Sequence, residues 1–328
     1  MERPGGPLSG NLVEKLSRED RARLYALGRS RELEPGAELV RQGTPGDCLF
    51  LVEQGELAVV RSLPGDEEER LITARAGMIL GEMAVLDGGV RAASLRALGP
   101  CVVRVIGVGA FEALTLHGGE AGLRILHAVA EMMHERIDAT CARDDAGSAA
   151  LAPAALSWSP PSAPAELCAW LAILPSLAAL DAADCPELAD HAALASVRRG
   201  EELVLPEGDA PGVTLVLRGA LSAWGEDGHV CETRPPVGPG GFVDYAAALG
   251  FTVSRRRWRA RSATRLVRLD AALFQVPSPM APRLMHALAR DLAATLRRAT
   301  GRRMHFEMAW AHETRRLAPL RRAVAQEA

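Results

Sequence analysis

Glu82 and Arg91 are the two residues of this chain whose types and spacing could do chemistry together. They stand nine positions apart in Gly81-Glu82-Met83-Ala84-Val85-Leu86-Asp87-Gly88-Gly89-Val90-Arg91-Ala92-Ala93-Ser94. A short helical turn from about Met83 to Leu86, opened by Gly81 and closed by Gly88-Gly89, would present unpaired backbone N–H groups at its start. Hydrogen bonds and the helix dipole favour a phosphate there. Arg91 adds a full positive charge and a fork of donors suited to two phosphate oxygens. Glu82 supplies the complementary acceptor, a carboxylate able to take a hydrogen bond from a hydroxyl such as a ribose 2′-OH. For an isolated Glu and Arg, a surface ion pair beside a turn is the plainer reading. The glycines, the alanines and the surrounding strand pattern weigh against it.

The elements that must position this segment recur along the chain. At an offset of 164 residues, Leu16, Asp20 and Leu24 return as Leu180, Asp184 and Leu188, Gly36 and Glu38-Leu39-Val40 as Gly200 and Glu202-Leu203-Val204, and Gly55 and Leu57 as Gly219 and Leu221. Later the offset falls to 163, matching Arg96-Ala97 to Arg259-Ala260 and Phe111 to Phe274. A length of 328 residues, at roughly 150 per domain, agrees with two units. Each unit opens with an apolar-periodic helical stretch (12–26; 167–195) and passes into short strand-like runs punctuated by Gly and Pro. Each then closes with a helix; from Phe111 to Ala142, Leu123, Leu126, Ala130, Met133 and Ile137 share one face. The expected fold is α+β, with two tandem β-rolls of the double-stranded β-helix or jelly-roll kind, each flanked by helices. The expected boundaries are 10–142, a linker rich in Ala, Pro and Ser at 143–165, a second unit at 166–300, and an Arg-rich helical tail at 301–328.

Gly81-Glu82-Met83-Ala84 and Arg91-Ala92-Ala93-Ser94 resemble the phosphate-binding cassette of cyclic nucleotide-binding domains, the family of catabolite activator proteins and of protein kinase A regulatory subunits. Gly36, Gly43, Gly46, Asp47 and Gly55 fall at that family's upstream turns. The resemblance implies a site made of Gly81, Glu82, Met83, Ala84, Arg91, Ala92 and Ser94. Glu82 would sit on the ribose 2′-OH, Arg91 on the cyclic phosphate, and the amides near Met83 and Ala84 on phosphate oxygens, with Ala92 and Ser94 completing the pocket. Val90 departs from the family, which often has Pro there, so the start of the loop loses rigidity. In the family a Thr directly after the arginine accompanies guanine preference. Ala92 lacks that hydroxyl, and the expected ligand is cyclic AMP rather than cyclic GMP.

The second unit has lost the signature. Ala246 or Tyr245 stands where Glu82 does, and Arg255 is followed by Arg256-Arg257-Trp258, bulky side chains that should fill the space of a cyclic phosphate. Alternation in Arg257-Trp258-Arg259-Ala260-Arg261 suits a strand with Trp258 and Ala260 inward. Residues 254–322 hold 17 Arg against 4 acidic residues, a field that attracts nucleic acid, anionic lipid or an acidic protein surface. No winged helix-turn-helix is evident after the second closing helix, so nucleic acid is not the expected partner.

No catalytic motif of the nucleotide-phosphate, zinc-protease or serine-hydrolase kind is present, and an enzyme is not expected. The six cysteines show no C-x-x-C spacing, so neither a zinc site nor a dithiol redox pair is suggested, and no metal or cofactor is expected. The N-terminus lacks a secretory signal and the most apolar stretch is too short to span a bilayer, which points to the cytoplasm. The reading is therefore a cyclic-nucleotide sensor acting on a protein effector, with a homodimer through the Phe111 to Ala142 helix as an open possibility. The alternatives are a ligand-free scaffold whose basic C-terminal region binds an acidic protein, and a nucleic-acid-binding transcription regulator.

Overall fold

The computed structural model describes residues 11–63, 68–141, 156–204, 212–224, 234–251, 257–276 and 278–301. The first half begins with α1 (Leu12–Lys15) and α2 (Arg18–Ala26). Ser17 separates them, because its hydroxyl caps α2 by accepting from the Asp20 N–H at 3.1 Å, so the expected single helix is two. Strands β1 (Arg29–Leu33), β8 (Cys101–Gly107), β3 (Cys48–Gln54) and β6 (Ile79–Leu80) form one sheet in that order. Strands β2 (Glu38–Val40), β7 (Ser94–Ala97), β4 (Glu56–Ser62) and β5 (Glu68–Arg75) form the other. Between β6 and β7 lies α3 (Glu82–Asp87). The half ends in α4 (Val108–His117) and α5 (Gly119–Cys141), broken at Gly118-Gly119, where Gly119 adopts φ +62.

Strand β3 shows how the roll is built. Successive side chains point to opposite faces, and both faces are covered. Phe50 and Val52 join Leu57, Leu80, Leu95 and Val103 inside the roll. Leu49 and Leu51 join Ile79, Ile106 and the α5 residues Ile125, Leu126, Val129 and Ile137 in the helical core. Each of these buried apolar side chains contributes about 1.5–3 kcal/mol relative to exposure.

The second half repeats the pairing. Strands β13 (Phe242–Asp244), β11 (Gly212–Arg218), β15 (Thr264–Asp270) and β9 (Ala192–Val197) form one sheet, and β10 (Glu202–Val204), β14 (Arg257–Ala260) and β12 (Leu221–Trp224) the other. Helices α6 (Pro164–Ala172) and α7 (Cys185–Asp190) precede them, α8 (Ala246–Leu249) stands where α3 does, and α9 (residues 281–301) closes the half. The expected helical stretch 167–195 is corrected. It divides into α6, two turns of 3-10 helix and α7, and residues 192–197 are a strand whose Leu194 bridges to Ser159. Pro175 and Pro186 interrupt or restart the helix there. Strand β1 was missed because Arg29-Ser30-Arg31-Glu32 are all exposed and give no apolar alternation. Trp258 and Ala260 are buried, as the alternation predicts.

The closing helices match at the 163 offset. Ile125, Val129, Met133 and Arg136 of α5 and their counterparts Leu288, Leu292, Leu296 and Ala299 of α9 are all buried. The stripe of α5 belongs to one core that also includes α9 and the second roll, so the apolar positions offered for a homodimer are already covered within the single chain. Among the described residues, no helix is long and apolar enough to cross a membrane. The Arg-rich tail, Arg255 and most of the linker lie outside the described residues.

Candidate functional site

The sheet edge at β6 delivers the chain to Gly81, whose φ of +81 turns it into α3. That left-handed conformation is strained for any residue with a side chain, and a Cβ there would also lie 2.5 Å from Arg91 Nη1. Gly88, at φ +65, ends the helix. The expected short turn is thus a six-residue helix opened and closed by the two glycines named for it. On the other side stands Gly46, where a Cβ would meet the Ala84 Cβ at 2.2 Å. The upstream turn and the cassette are therefore pressed together by the absence of a side chain.

Arg91 is 4% exposed. Its backbone is fixed by the upstream turn, since Arg91 N donates to Thr44 O at 2.8 Å and Gly43 N donates to Arg91 O at 2.9 Å. Its Nη1 donates to Gly81 O at 3.3 Å, its Nη2 reaches Cys48 Sγ at 3.3 Å and Asp47 Oδ1 at 3.5 Å, and the guanidinium lies over the Phe50 ring. Its Nε is buried with no hydrogen-bond partner. Such a group is costly unless something accepts from it, and an anion would. The neighbouring Cys48 thiol is pushed up by burial and by Asp47, which keeps it protonated.

Glu82 is 3% exposed and accepts from Arg136 Nη1 of α5. Arg136 is itself buried, and its Nη2 donates to Ile79 O at 3.5 Å. The structure thus brings Glu82, Arg91 and the Gly81 turn into one place, yet gives the two charged side chains different partners. Of the remaining expected residues, Ala84 is buried, and Met83 and Ala92 are half-buried. Ser94 is buried and accepts from the Gln42 N–H at 3.0 Å, which ties β7 to the upstream turn.

Two participants were missed. Arg136 is a charged residue inside the apolar stripe of α5, one turn beyond Met132 and Met133, and that misplacement was the available signal. Arg297 of α9 donates to Asp87 from Nε at 2.6 Å and from Nη2 at 2.9 Å, and from Nη1 to Val90 O at 2.7 Å. Nothing local in the sequence announces a contact across 210 residues.

The corresponding place in the second roll is built differently. Tyr245 is buried and its hydroxyl lies 3.1 Å from His134 Nδ1 of α5. His127 Nε2 lies 2.8 Å from Leu249 O and therefore donates to it. Inside the roll, buried Arg234 lies over the ring of buried Trp258.

Residues 30–117 match the family model of the cyclic nucleotide-binding domain. Among curated proteins, a cAMP-dependent protein kinase regulatory subunit from Hypocrea atroviridis is 28% identical over 31% of this chain and 21% of its own length. The cGMP-dependent protein kinase, isozyme 1, of Drosophila melanogaster is 37% identical over 29% of this chain and 12% of its own. This chain therefore spans about a fifth or less of those relatives. Among solved structures, the catabolite activator protein of Thermus thermophilus is 25% identical over 39% of this chain and 58% of that chain, with a TM-score of 0.36. The regulatory domain of Toxoplasma gondii protein kinase A with cAMP is 18% identical over 86% of this chain and 90% of that chain, with a TM-score of 0.31. The two facing sheets and the glycine-opened cassette give the first half the β-roll fold of the cyclic nucleotide-binding domain that residues 30–117 match.

Proposed function

We propose that the chain is a non-catalytic sensor that binds cyclic AMP, in preference to cyclic GMP, in its first roll and passes occupancy through α5 to the second half and on to a protein effector. The observation that carries this reading is the buried pair between Glu82 and Arg136. It joins the cassette to the closing helix through the same carboxylate that the family likeness assigns to the ribose hydroxyl. A ligand hydroxyl donating to Glu82 shares that carboxylate with Arg136 and loosens its hold on α5. The unpartnered Nε of Arg91 gives the cyclic phosphate a donor that needs an acceptor. The ligand moves the helix only by the difference in its affinity for the two arrangements. Ala92, lacking the hydroxyl that accompanies guanine preference, supports the adenine nucleotide.

Calorimetry on the full chain with cyclic AMP and cyclic GMP tests the reading. Micromolar binding, tighter for cyclic AMP and weakened about 100-fold by Arg91→Ala, is expected for a lost set of charge-assisted hydrogen bonds. Absence of heat with both nucleotides would instead favour the scaffold reading.

A further inference from the structure

The second half lacks a cassette but reaches into the first one. Arg297 takes both carboxylate oxygens of Asp87, the last residue of α3, and the carbonyl of Val90. Gly89 between them donates its N–H to Asp87 Oδ1 at 2.9 Å, and its missing side chain makes room, since a Cβ there would lie 2.8 Å from Arg297 Nη2. One guanidinium therefore holds the end of the helix and the start of the loop that leads into Arg91. On the opposite side Val90 bridges to Pro45, and the Arg91 backbone is bonded to residues 43 and 44. The loop is gripped from both sides, one grip coming from its own roll and one from α9.

Arg297 is anchored to its own roll. On α9, half-buried Asp291 accepts from Phe242 N at 3.0 Å, at the start of β13. The contact is also reciprocal. At the 163 offset Arg297 corresponds to His134, and His134 of α5 meets Tyr245, at the start of the second roll's short helix. Each closing helix thus turns the same position toward the other roll's version of the cassette.

Val90 gives this contact its purpose. A proline there would fix φ near −65°, and valine leaves the segment freer. We infer that Arg297 is a positioning residue of the first roll's ligand site, a clamp supplied by the second half that stiffens residues 88–90 and so pre-organises Arg91 for an anionic phosphate. The inference rests on the proposed cyclic-nucleotide reading. Pre-organisation strengthens binding because less ordering remains to be done when the ligand arrives.

Calorimetry with cyclic AMP on the full-length wild type, Arg297→Ala, and the double variant Arg297→Ala with Val90→Pro is the test. Arg297→Ala should weaken binding about tenfold, and the added proline should recover most of that loss, which a merely structural role for Arg297 in holding the halves together would not allow. Thr115→Val, which cuts the Thr115–His286 contact between the halves away from the cassette, should leave affinity unchanged. Should Val90→Pro alone impair the wild type, amide hydrogen exchange at residues 91–94 decides. Faster exchange in Arg297→Ala supports the clamp and unchanged exchange overturns it. Wild-type binding with unaltered affinity in Arg297→Ala overturns the clamp alone, whereas a wild type that binds neither nucleotide overturns the functional reading.

Discussion

Arg136 of the closing helix donates to Glu82, the first residue of the cassette helix, and both side chains are more than nine-tenths buried. Removing one member of a buried pair leaves an uncompensated charge, at a cost of about 3–5 kcal/mol. Arg136→Gln should therefore lower unfolding free energy by roughly that amount in urea titrations. Cyclic AMP should raise the Tm of this variant more than that of the wild type, because the ligand hydroxyl replaces part of the lost donor. A loss below about 1 kcal/mol would show that the pair is relaxed in solution and does not couple the two elements.

Gly81→Ala separates backbone cost from site damage. The left-handed conformation costs a non-glycine residue about 1–2 kcal/mol, and the new Cβ would press on Arg91 Nη1. Gly36 has a similar φ of +80 with open space around its missing Cβ. Both alanine variants should lose comparable stability in thermal melts, while Gly81→Ala alone should lose at least about tenfold in cyclic-nucleotide affinity. Equal affinities would mean that Arg91 is free to move aside at no cost to binding.

Titration calorimetry should give a stoichiometry of one cyclic nucleotide per chain. In the second roll the helix that stands where α3 does starts at Ala246, which carries no carboxylate; Tyr245 before it is buried and engaged with His134, and buried Arg234 lies over Trp258. A second binding step that survives Arg91→Ala would contradict this assignment.

Two groups on α9 carry opposed pH dependences. Thr115 donates its hydroxyl to Phe111 O at 2.8 Å, so His286 Nε2, at 2.7 Å, is the donor to Thr115. Burial, aided by Arg290, lowers the His286 pKa from 6.5 to about 4. The unfolded chain therefore takes up a proton that the folded one refuses, and stability falls as pH drops from about 6.5 towards 4. Asp291 works the other way. Burial raises its pKa from 3.8 to about 6, so its contribution is greatest in acid and is lost as pH rises through about 6. His286→Gln should flatten the acid loss of Tm between pH 6.5 and 4, and Asp291→Asn should steepen it. Parallel curves for wild type and both variants would refute these assignments.

The cassette was legible because its chemistry is local. Gly81, Glu82, Gly88 and Arg91 lie in one short stretch, and the glycine positions dictate the turn that joins them. The repeat was legible because strand pairing needs the same residue spacing twice. What escaped was either polar or remote. Exposed β1 carries no apolar alternation. The break in the first helix hangs on one serine cap. The opening of the second half turns to strand at Ala192, where alanine-rich sequence favours helix and pairing with β15 prevails. Arg136 and Arg297 act across folded distance, and only the packing of α5 and α9 between the rolls brings them to Glu82 and Asp87.

The surface that covers α5 belongs to the same polypeptide, and this has a bearing on behaviour at different protein abundances. A helix that relied on another molecule for its cover would shed it on dilution. Tethering instead fixes the local concentration of the covering partner, in the millimolar range or above for short connections. Covering this helix then needs no association step, so any event that depends on its exposure should have a midpoint that does not shift with the number of copies present.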